Sequence, residues 1–577
     1  MKKCFGQQTL RIWPWLAWAT AVWVGWRWWQ GSWTGFEFQD EGAYLLISHD
    51  PWRNSSPSFY GFVLHPLYLL AGRDPGWFRI LSVVCLVAAA WGCATAWWKR
   101  ESPTPAGPLV RAGVTTLLVT GSLLVYSDGQ RTPSYNTLVF FGALLAWTGY
   151  FRLGAGTGFR RGAWWLMAAG LVLAFLAKWP AGVLMAALFV ALVWQNRLYG
   201  AGDGGVIFRA LLFAGMACLL WIGGRGIADA ATFNRLVVEK SESYGMQLLP
   251  FYGLTMVNFF YRCVRAFLYG APVLILLWIM YRRSPSWFRL LATRAWLVPW
   301  LVLGGGLVFG LTRAGASSFS RVGSNVSAEI LWLAAVALML IPSRSWVRSG
   351  FRADESVALI LTPFLLGVGT NTALGDYAGH GVLFFQLAGL GVWRVLSRHG
   401  LAPALLASLL FLAATLNLLR AEASLRDQFR TAPMAECTFP WVGPGGGTVY
   451  LDKDQAGILR DARSRLQAWG FQAGDPLVAI GDMPGLVYFL GGHSPGTAWY
   501  PATHMGHLPL VLALLQTLSP ETRANSYLLM NEASPLFASR SEILDLVGKG
   551  DPAVFGPYAL DGATQKLNLW RAAGKNP

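Results

Sequence analysis

The chain has 577 residues, 54% of them hydrophobic and only 13% charged, with a mean hydropathy of +0.42. Soluble domains carry about 25% charged residues, so this composition excludes an ordinary soluble protein. The apolar residues form runs separated by short loops rich in Arg, Gly and Pro. This pattern is typical of a polytopic α-helical membrane protein. The net charge of +17 does not indicate nucleic-acid binding, because much of the excess lies in short loops that the positive-inside rule assigns to the cytoplasm.

The amino-terminal residues Met1-Lys2-Lys3 precede an apolar run without a small-residue cleavage signal, so we expect an uncleaved first span. Thirteen predicted spans cover roughly 12–29, 77–98, 110–126, 137–151, 163–177, 180–194, 207–224, 264–281, 295–311, 328–342, 356–369, 381–396 and 401–418. Loops with a strong basic bias alternate with loops of weaker bias, which places the amino terminus in the cytoplasm and the carboxyl terminus outside. In a bacterial inner membrane, that outer side is the periplasm.

Two regions are predicted. Residues 1–419 form the transmembrane domain, which has long outer loops at about 30–76 and 225–263. Residues 420–577 form a small periplasmic α/β domain, because the short strand-like runs TVYL, PLVAI and SYLLM alternate with helical segments near 454–469, 505–517 and 535–546. The run GPGGG at 443–447 lacks the residues of a nucleotide-binding loop and is interpreted as a turn.

An acidic pair, Asp40-Glu41, follows the first span. An inverting sugar transfer needs a carboxylate that takes the acceptor's proton during attack on the anomeric carbon. Acidic residues are also common at the start of a helix or a solvated loop, and that structural interpretation stays open.

Lys178 lies in LAFLAKWPAG, within an apolar stretch over 163–194. One helix of this length would measure about 48 Å at ~1.5 Å per residue, longer than a bilayer requires. Pro180 disfavours helix at Trp179, so two spans meeting at a tight outer turn are predicted. At that turn an ammonium would neutralise a lipid phosphate or, alternatively, only snorkel to the interface.

Weaker candidates lie in other predicted outer loops. Arg131, Arg313 and Arg321 are candidate phosphate ligands, since a guanidinium matches phosphate oxygens, although an ordinary lipid-headgroup or loop contact is the simpler explanation for each of them. Further possible cavity residues are Tyr44, His49, Asp376 and His380. The cysteines form no CxxC pair and the histidines no metal-binding pattern, so we predict neither a disulfide framework nor a metal site. A divalent ion at the acidic pair is possible but not required.

The segment Asp40-Glu41-Gly42-Ala43-Tyr44 directly after a first span, together with LAFLAKWPAG, resembles the GT-C superfamily of integral-membrane glycosyltransferases. The resemblance covers roughly residues 12–260 and is nearest to the aminoarabinose-transferase and protein-mannosyltransferase branch. It implies a polyprenyl-phosphate-linked sugar donor and an inverting mechanism. By the same resemblance Asp40 is the general base, Glu41 orients the acceptor or shares that role, and Lys178 contacts the donor phosphate.

Other classes of function stay open. A transporter or flippase for a lipid-linked glycan would also use a membrane cavity, but it favours charges deep in several spans and repeat symmetry. A non-catalytic membrane scaffold leaves the acidic pair unexplained. The partners expected are therefore a polyprenyl-phosphate-linked sugar, membrane lipids and an acceptor of unknown class.

Overall fold

The computed structural model describes residues 2–54, 56–100, 108–126, 131–155, 160–198, 203–240, 250–258, 261, 353–369, 374, 377, 380–396, 432–502, 505–547, 552–560 and 563–571. Four predicted spans, at 264–281, 295–311, 328–342 and 401–418, lie outside these residues. So do the candidate residues Arg313, Arg321 and Asp376.

Helices make up the described part of the amino-terminal region. In chain order they are α1 (Lys2–Gly31), α2 (Asp40–His49), α3 (Tyr60–Leu70), α4 (Pro75–Arg100), α5 (Pro108–Ser122), α6 (Tyr135–Gly154), α7 (Arg160–Ala177), α8 (Trp179–Gln195), α9 (Asp203–Lys240), α10 (Ala353–Gly367) and α11 (Val382–Leu396). A short 3₁₀ turn, Leu123–Tyr126, extends α5. The nine predicted spans that fall within the described residues each coincide with one of these helices.

Three described stretches are long and apolar enough to cross a membrane, judged by length and composition: Pro75–Arg100, Tyr135–Gly154 and Arg209–Lys240. Large apolar side chains on the helices are also strongly exposed, including Trp194 at 82% and Leu220 at 79%. Such side chains over a contiguous surface are unusual in water and ordinary against lipid tails. The total of thirteen spans stays a prediction.

The predicted outer loop at 30–76 is largely helical, since it contains α2 and α3. Eight of the ten residues of α2 are buried. The first outer segment is therefore a packed part of the protein and not an open loop.

The predicted outer loop at 225–263 is likewise helical as far as Lys240, because α9 continues past its predicted end. Its 38 residues would extend about 57 Å at ~1.5 Å per residue, longer than a bilayer requires. Gly223, with φ of 72°, interrupts the helix and changes its direction, a backbone conformation that glycine adopts without steric cost.

Glycines bring α6 and α7 into backbone contact. A Cβ built on Gly170 would lie 2.4 Å from the carbonyl oxygen of Gly142 and 2.5 Å from the amide nitrogen of Ala146. Small residues allow this close approach between apolar helices that water does not drive together. The tight α6–α7 pair supports the hairpin that follows it.

The carboxyl-terminal region, residues 432–571, contains strands at the three predicted places and helices near the three predicted segments. Its elements are β1 (Phe439–Val442), β2 (Thr448–Leu451), α12 (Lys453–Ala468), β3 (Leu477–Ile480), α13 (Pro484–Leu490), α14 (Leu508–Gln516), α15 (Pro520–Asn525), β4 (Tyr527–Asn531), α16 (Arg540–Val547), β5 (Ala553–Leu560) and β6 (Ala563–Trp570). The strands Phe439–Val442, Ala553–Leu560 and Ala563–Trp570 were not predicted. β1 and β2 form an antiparallel hairpin whose turn is the GPGGG segment. The division of the chain into domains and the side of the membrane stay predictions.

The larger sheet has the order β3-β4-β6-β5, in which β3 and β4 are parallel and the other pairs antiparallel. Alternate residues of β3 point to opposite faces, as a strand requires. Leu477 and Ala479 share a core with Leu459 of α12, whereas Val478 and Ile480 share one with Val511 of α14. The first core is continuous with that of the helical bundle, and the second includes Leu236 and Val237 of α9. Both cores of the sheet therefore contain residues of the amino-terminal helices.

We predict that Gly170→Ala destabilises the protein by about 1–3 kcal/mol, because the new methyl group forces two backbones apart. Gly92→Ala in α4 is the matched control, since a Cβ there meets nothing within 4 Å. Thermal unfolding of the detergent-solubilised protein, followed by tryptophan fluorescence, should show a lower Tm for the first variant only. Equal Tm values for the two variants would contradict this packing.

Candidate functional site

The residues before α2 form an extended segment, residues 32–39, that we call the strap. The side chain of Glu37, in the strap, caps α2: its carboxylate accepts the backbone N–H of Gln39 at 2.8 Å and that of Glu41 at 2.9 Å. Burial, and next the nearby charge of Asp40, raises the pKa of Glu37 well above its usual value. A buried acid thus holds the beginning of the helix that carries the acidic pair.

Glu41 is completely buried and pairs with an equally buried arginine, Arg79 of α4. Both carboxylate oxygens lie 3.2 Å from Nη2 of Arg79. The backbone N–H groups of Arg131 and Thr132 donate to Oε1 at 2.6 and 2.7 Å. The N–H of Glu37 donates to Oε2 at 3.1 Å.

The guanidinium of Arg79 also binds the strap. It donates to the carbonyl oxygens of Ser32 at 2.9 Å and Gly35 at 3.3 Å, and to Oγ1 of Thr132 at 3.3 Å. A buried ion pair is stable only when such additional hydrogen bonds satisfy both partners. The Glu41 carboxylate is therefore placed to anchor the strap and not to exchange protons with a substrate.

Asp40 is the first residue of α2 and, unlike Glu37 and Glu41, is partly exposed. Burial, and after it the charge of Asp40, raises the pKa of Tyr44 well above its usual value. Asp40 therefore lies close enough to Tyr44 for its negative charge to disfavour ionisation of that ring. Of the three neighbouring acids, it is the one with access to solvent.

A group of rings, which we call the tyrosine cluster, consists of Tyr44, Tyr60, Tyr135 and Tyr377. The ring centroids of Tyr44 lie 5.9 Å from Tyr60 and 5.6 Å from Tyr135, and those of Tyr60 and Tyr135 lie 5.8 Å apart. Tyr377 joins the cluster through Asn136, whose side-chain oxygen accepts its hydroxyl hydrogen. The four tyrosines come from well-separated parts of the sequence.

Lys178 also contacts the tyrosine cluster. The predicted hairpin is confirmed: α7 ends at Ala177, α8 begins at Trp179, and Lys178 between them has an extended backbone. Its Nζ lies 4.1 Å from the ring centroid of Tyr377 and 5.0 Å from that of Tyr135. It donates to the hydroxyl of Tyr377 at 2.8 Å and to the carbonyl oxygen of Leu366 at 3.0 Å.

Lys178 is only 4% exposed, so its ammonium is largely removed from water. Within the part of the chain that the structure describes, no carboxylate lies within 4.0 Å of it. Its two hydrogen-bond acceptors are neutral. A buried cation in this position has a strong preference for an anionic ligand.

Asp40 and Lys178 thus both lie beside the tyrosine cluster. A backbone hydrogen bond of 2.9 Å from Phe59 to Leu176 also ties the first outer segment to the tip of the α7–α8 hairpin. An acid and a buried ammonium are therefore associated with the same aromatic cluster.

The other described candidates lie in different surroundings. Arg131 is buried, with its guanidinium 4.9 Å from the ring centroid of Trp28 in α1, and a phosphate-binding role for it stays a prediction. The ring of His380 lies 5.1 Å from that of Tyr377, beside the tyrosine cluster. His49 lies instead between the rings of Tyr68 and Tyr488, at 5.7 and 5.8 Å, and burial lowers its pKa.

Sequence reasoning missed several residues of the site. Arg79 falls inside the apolar run that predicts the second span, near its outer end, and an arginine inside such a run was the available signal. Glu37 precedes the acidic pair by only three residues and has no partner visible in the sequence. Tyr60, Tyr135 and Tyr377 carry no motif at all.

Groups of at least three His, Cys, Asp or Glu that could hold a metal ion are absent from the residues that the structure describes. The three acids of the strap and α2 do not form such a group, because Glu37 and Glu41 are turned toward backbone N–H groups and Arg79.

Comparison with known proteins gives a consistent but distant likeness. No family model and no curated protein matches the chain. Among solved structures, ArnT from Cupriavidus metallidurans in the apo state matches with a TM-score of 0.41 and 14% identity over 96% of this chain and 98% of that chain. ArnT from the same organism bound to undecaprenyl phosphate matches with a TM-score of 0.40 and 16% identity over 97% of this chain and 98% of that chain.

ArnT is an aminoarabinose transferase and a GT-C glycosyltransferase. Residue roles in this chain rest on its own contacts, since the identity and the TM-scores are low.

We predict that Arg79→Met destabilises the protein by about 3–5 kcal/mol, because it leaves the Glu41 carboxylate buried without its cation. The double variant Arg79→Met/Glu41→Gln should lose less than the sum of the two single variants, which a double-mutant cycle of thermal unfolding would measure.

Arg53→Met is the matched control for this cycle. Arg53 belongs to the same outer segment and pairs with Asp50, but its side chain is 61% exposed. Exposed pairs contribute about 1 kcal/mol or less. A loss in Arg79→Met no larger than that in Arg53→Met would mean that the buried pair does not anchor the strap.

Proposed function

We propose that this chain is an inverting glycosyltransferase that moves a sugar from a polyprenyl-phosphate donor to an acceptor at the periplasmic face of a bacterial inner membrane. The observation that carries the proposal is the buried ammonium of Lys178, which shares the tyrosine cluster with the partly exposed carboxylate of Asp40. The motifs that resemble the GT-C superfamily contain these same two residues.

The phosphate of the donor would bind at Lys178. The desolvated ammonium has only a carbonyl oxygen and a hydroxyl as described hydrogen-bond acceptors. A phosphodiester would supply a negative charge beside this ammonium. As the bond to the sugar breaks, charge builds up on the departing phosphate, and a fixed cation in a dry site stabilises that charge more than the neutral starting state.

The lipid part of the donor has a matching surface next to Lys178. An apolar groove of about 680 Å³ runs between α7, α8 and α9 and is lined mostly by hydrophobic side chains, such as Phe175, Val183 and Leu219. The lining includes Phe175 and Leu176, which precede the Lys178 turn in the chain. A chain of isoprene units would lie in this groove with its phosphate at Lys178.

Asp40 would act as the general base. The hydroxyl oxygen of the acceptor attacks the anomeric carbon on the face opposite the phosphate, and the carbon–oxygen bond to phosphate breaks with its electron pair leaving on the phosphate. The hydroxyl proton passes to the Asp40 carboxylate. Displacement from the opposite face inverts the anomeric configuration. Glu37 and Glu41 are buried, which leaves Asp40 as the acid of this segment that an acceptor can approach.

We predict that Asp40→Asn lowers kcat by about 10²–10⁴-fold, the usual contribution of a positioned general base, while undecaprenyl phosphate still binds. The assay follows transfer from a panel of radiolabelled undecaprenyl-phosphate sugars to acceptors in a crude envelope extract. Asp50→Asn, in the same outer segment, is the control and should keep wild-type transfer. Wild-type transfer by Asp40→Asn would eliminate the proposed base, and movement of the lipid-linked sugar without a covalent product would identify a flippase.

We further predict that Lys178→Met weakens the binding of undecaprenyl phosphate by at least about tenfold, because a charged hydrogen bond to phosphate contributes roughly 1.5–3 kcal/mol. Binding is measured on the purified protein in detergent by thermophoresis. Lys240→Met, at the exposed end of α9, removes the same charge elsewhere and should leave the affinity unchanged. An unchanged affinity in Lys178→Met would overturn the assignment of the phosphate site.

A further inference from the structure

The carboxyl-terminal region makes direct backbone contacts with the strap. The N–H of Tyr450 in β2 donates to the carbonyl oxygen of Trp33 at 2.8 Å, and the N–H of Gly35 donates to the carbonyl oxygen of Tyr450 at 2.8 Å. Thr34 and Tyr450 form a parallel bridge. On its other side, Tyr450 is paired with Pro440 of β1. The strap therefore pairs with the free edge of β2 at one bridge, Thr34 with Tyr450.

Two helices of the same region hold the strap beyond this point. Nε2 of Gln455 in α12 donates to the carbonyl oxygen of Phe36 at 2.7 Å. The N–H of Gly485 in α13 donates to the carbonyl oxygen of Phe38 at 2.8 Å. The rings of Phe36 and Phe489 also meet at 4.7 Å. Successive carbonyl groups of the strap thus bind successive elements of the carboxyl-terminal region.

The closest approach occurs between α13 and α2 itself. A Cβ built on Gly42 would lie 2.3 Å from the amide nitrogen of Gly485 and 2.5 Å from its Cα. A Cβ on Gly485 would lie 2.9 Å from Cα of Phe38 and 3.0 Å from its carbonyl oxygen. The two backbones are in contact only because both residues are glycine, and this contact lies two residues from Asp40.

We propose that the carboxyl-terminal region is a positioning part of the transfer site: the backbone contact of Gly485 with α2, together with Gln455, fixes the place of Asp40 relative to Lys178. The proposal rests on the proposed role of Asp40 as the base. Arg79 of α4 holds the strap and Glu41, whereas α12 and α13 hold the strap and α2 through separate contacts. Two sets of contacts fix the orientation of this helix end, and loss of one set lets Asp40 shift.

This role differs from a second possible role for the carboxyl-terminal region, in which it would lie over the site as a cover and select the acceptor. A cover would contact the substrate and change which acceptor is used. A positioning support contacts only the protein and changes the rate for every acceptor. A shift of about 1 Å in a reacting group can lower the rate about 10²-fold without any loss of substrate binding.

The test is Gly485→Ala in the full-length protein. The added methyl group pushes against the strap at Phe38, and kcat for transfer from radiolabelled undecaprenyl-phosphate sugars should fall by about 10- to 100-fold. The Kd for undecaprenyl phosphate should stay within about twofold of the wild-type value, because its proposed site at Lys178 does not contact α13. Gly457→Ala in α12 is the matched control: a Cβ there meets only Tyr558, at 3.4 Å, and kcat should not change.

Gln455→Leu is a second variant that does not depend on the glycine contact. It keeps the size of the side chain but removes the hydrogen bond to Phe36, and kcat should fall by about 3- to 10-fold, the equivalent of one hydrogen bond. Gln467→Leu, on the exposed side of the same helix, should keep wild-type kcat. If Gly485→Ala does not insert into the membrane, Gln455→Leu decides the question.

Wild-type kcat in Gly485→Ala or, where that variant does not insert, in Gln455→Leu would overturn the proposal. A parallel loss of kcat and of undecaprenyl phosphate binding would also overturn it, because it would mean a general collapse of the site. Asp40→Asn is measured in the same series. Full activity in Asp40→Asn refutes the proposed function itself, whereas an inactive Asp40→Asn with a fully active Gly485→Ala refutes only the positioning role.

Discussion

The arrangement of the site depends on one buried ion pair, that between Glu41 and Arg79. Two charges removed from water are costly unless each finds several partners. Here the pair recruits the N–H groups of Arg131 and Thr132 and the carbonyl groups of Ser32 and Gly35. The same atoms that satisfy the charges also join the strap, α2, α4 and the start of the 131–134 segment. The electrostatic requirement therefore fixes the backbone geometry around Asp40.

Three carboxyl groups within five residues have three different environments. Glu37 caps a helix in a buried place, Glu41 is neutralised by a guanidinium, and Asp40 is partly exposed beside the tyrosine cluster. Glu37 and Glu41 are buried and hydrogen-bonded within the protein. Of the three acids, only Asp40 therefore has the exposure that proton exchange with a substrate requires. The sequence presents the acids as equivalent neighbours, and the folded chain gives each a separate task.

Much of the helical part could be predicted from the sequence, because hydrophobic runs of membrane length and the proline after Trp179 are local signals. The Lys178 hairpin is the best example: the length of its apolar run and Pro180 together require a turn there. Arg79 could not be paired in advance, since nothing local to it shows that Glu41 will be its partner. The helices α2 and α3 were predicted as loop because polar residues and prolines interrupt their short apolar stretches.

The tyrosine cluster and the contact between Gly42 and Gly485 were out of reach for a different reason. Both arise from residues far apart in the chain, and tyrosine or glycine alone indicates no particular partner. Pairing of this kind becomes visible only when the whole fold is present.

The pairing of the strap with Tyr450 of β2 has a consequence for biogenesis. The strap is synthesised soon after the first helix, whereas Tyr450, Gln455 and Gly485 emerge from the ribosome several hundred residues later. The early segment therefore stays without these partners until the last part of the chain has been synthesised and folded. Completion of the acidic site is therefore coupled to completion of the whole polypeptide, so a chain interrupted before this point carries the acid without its support.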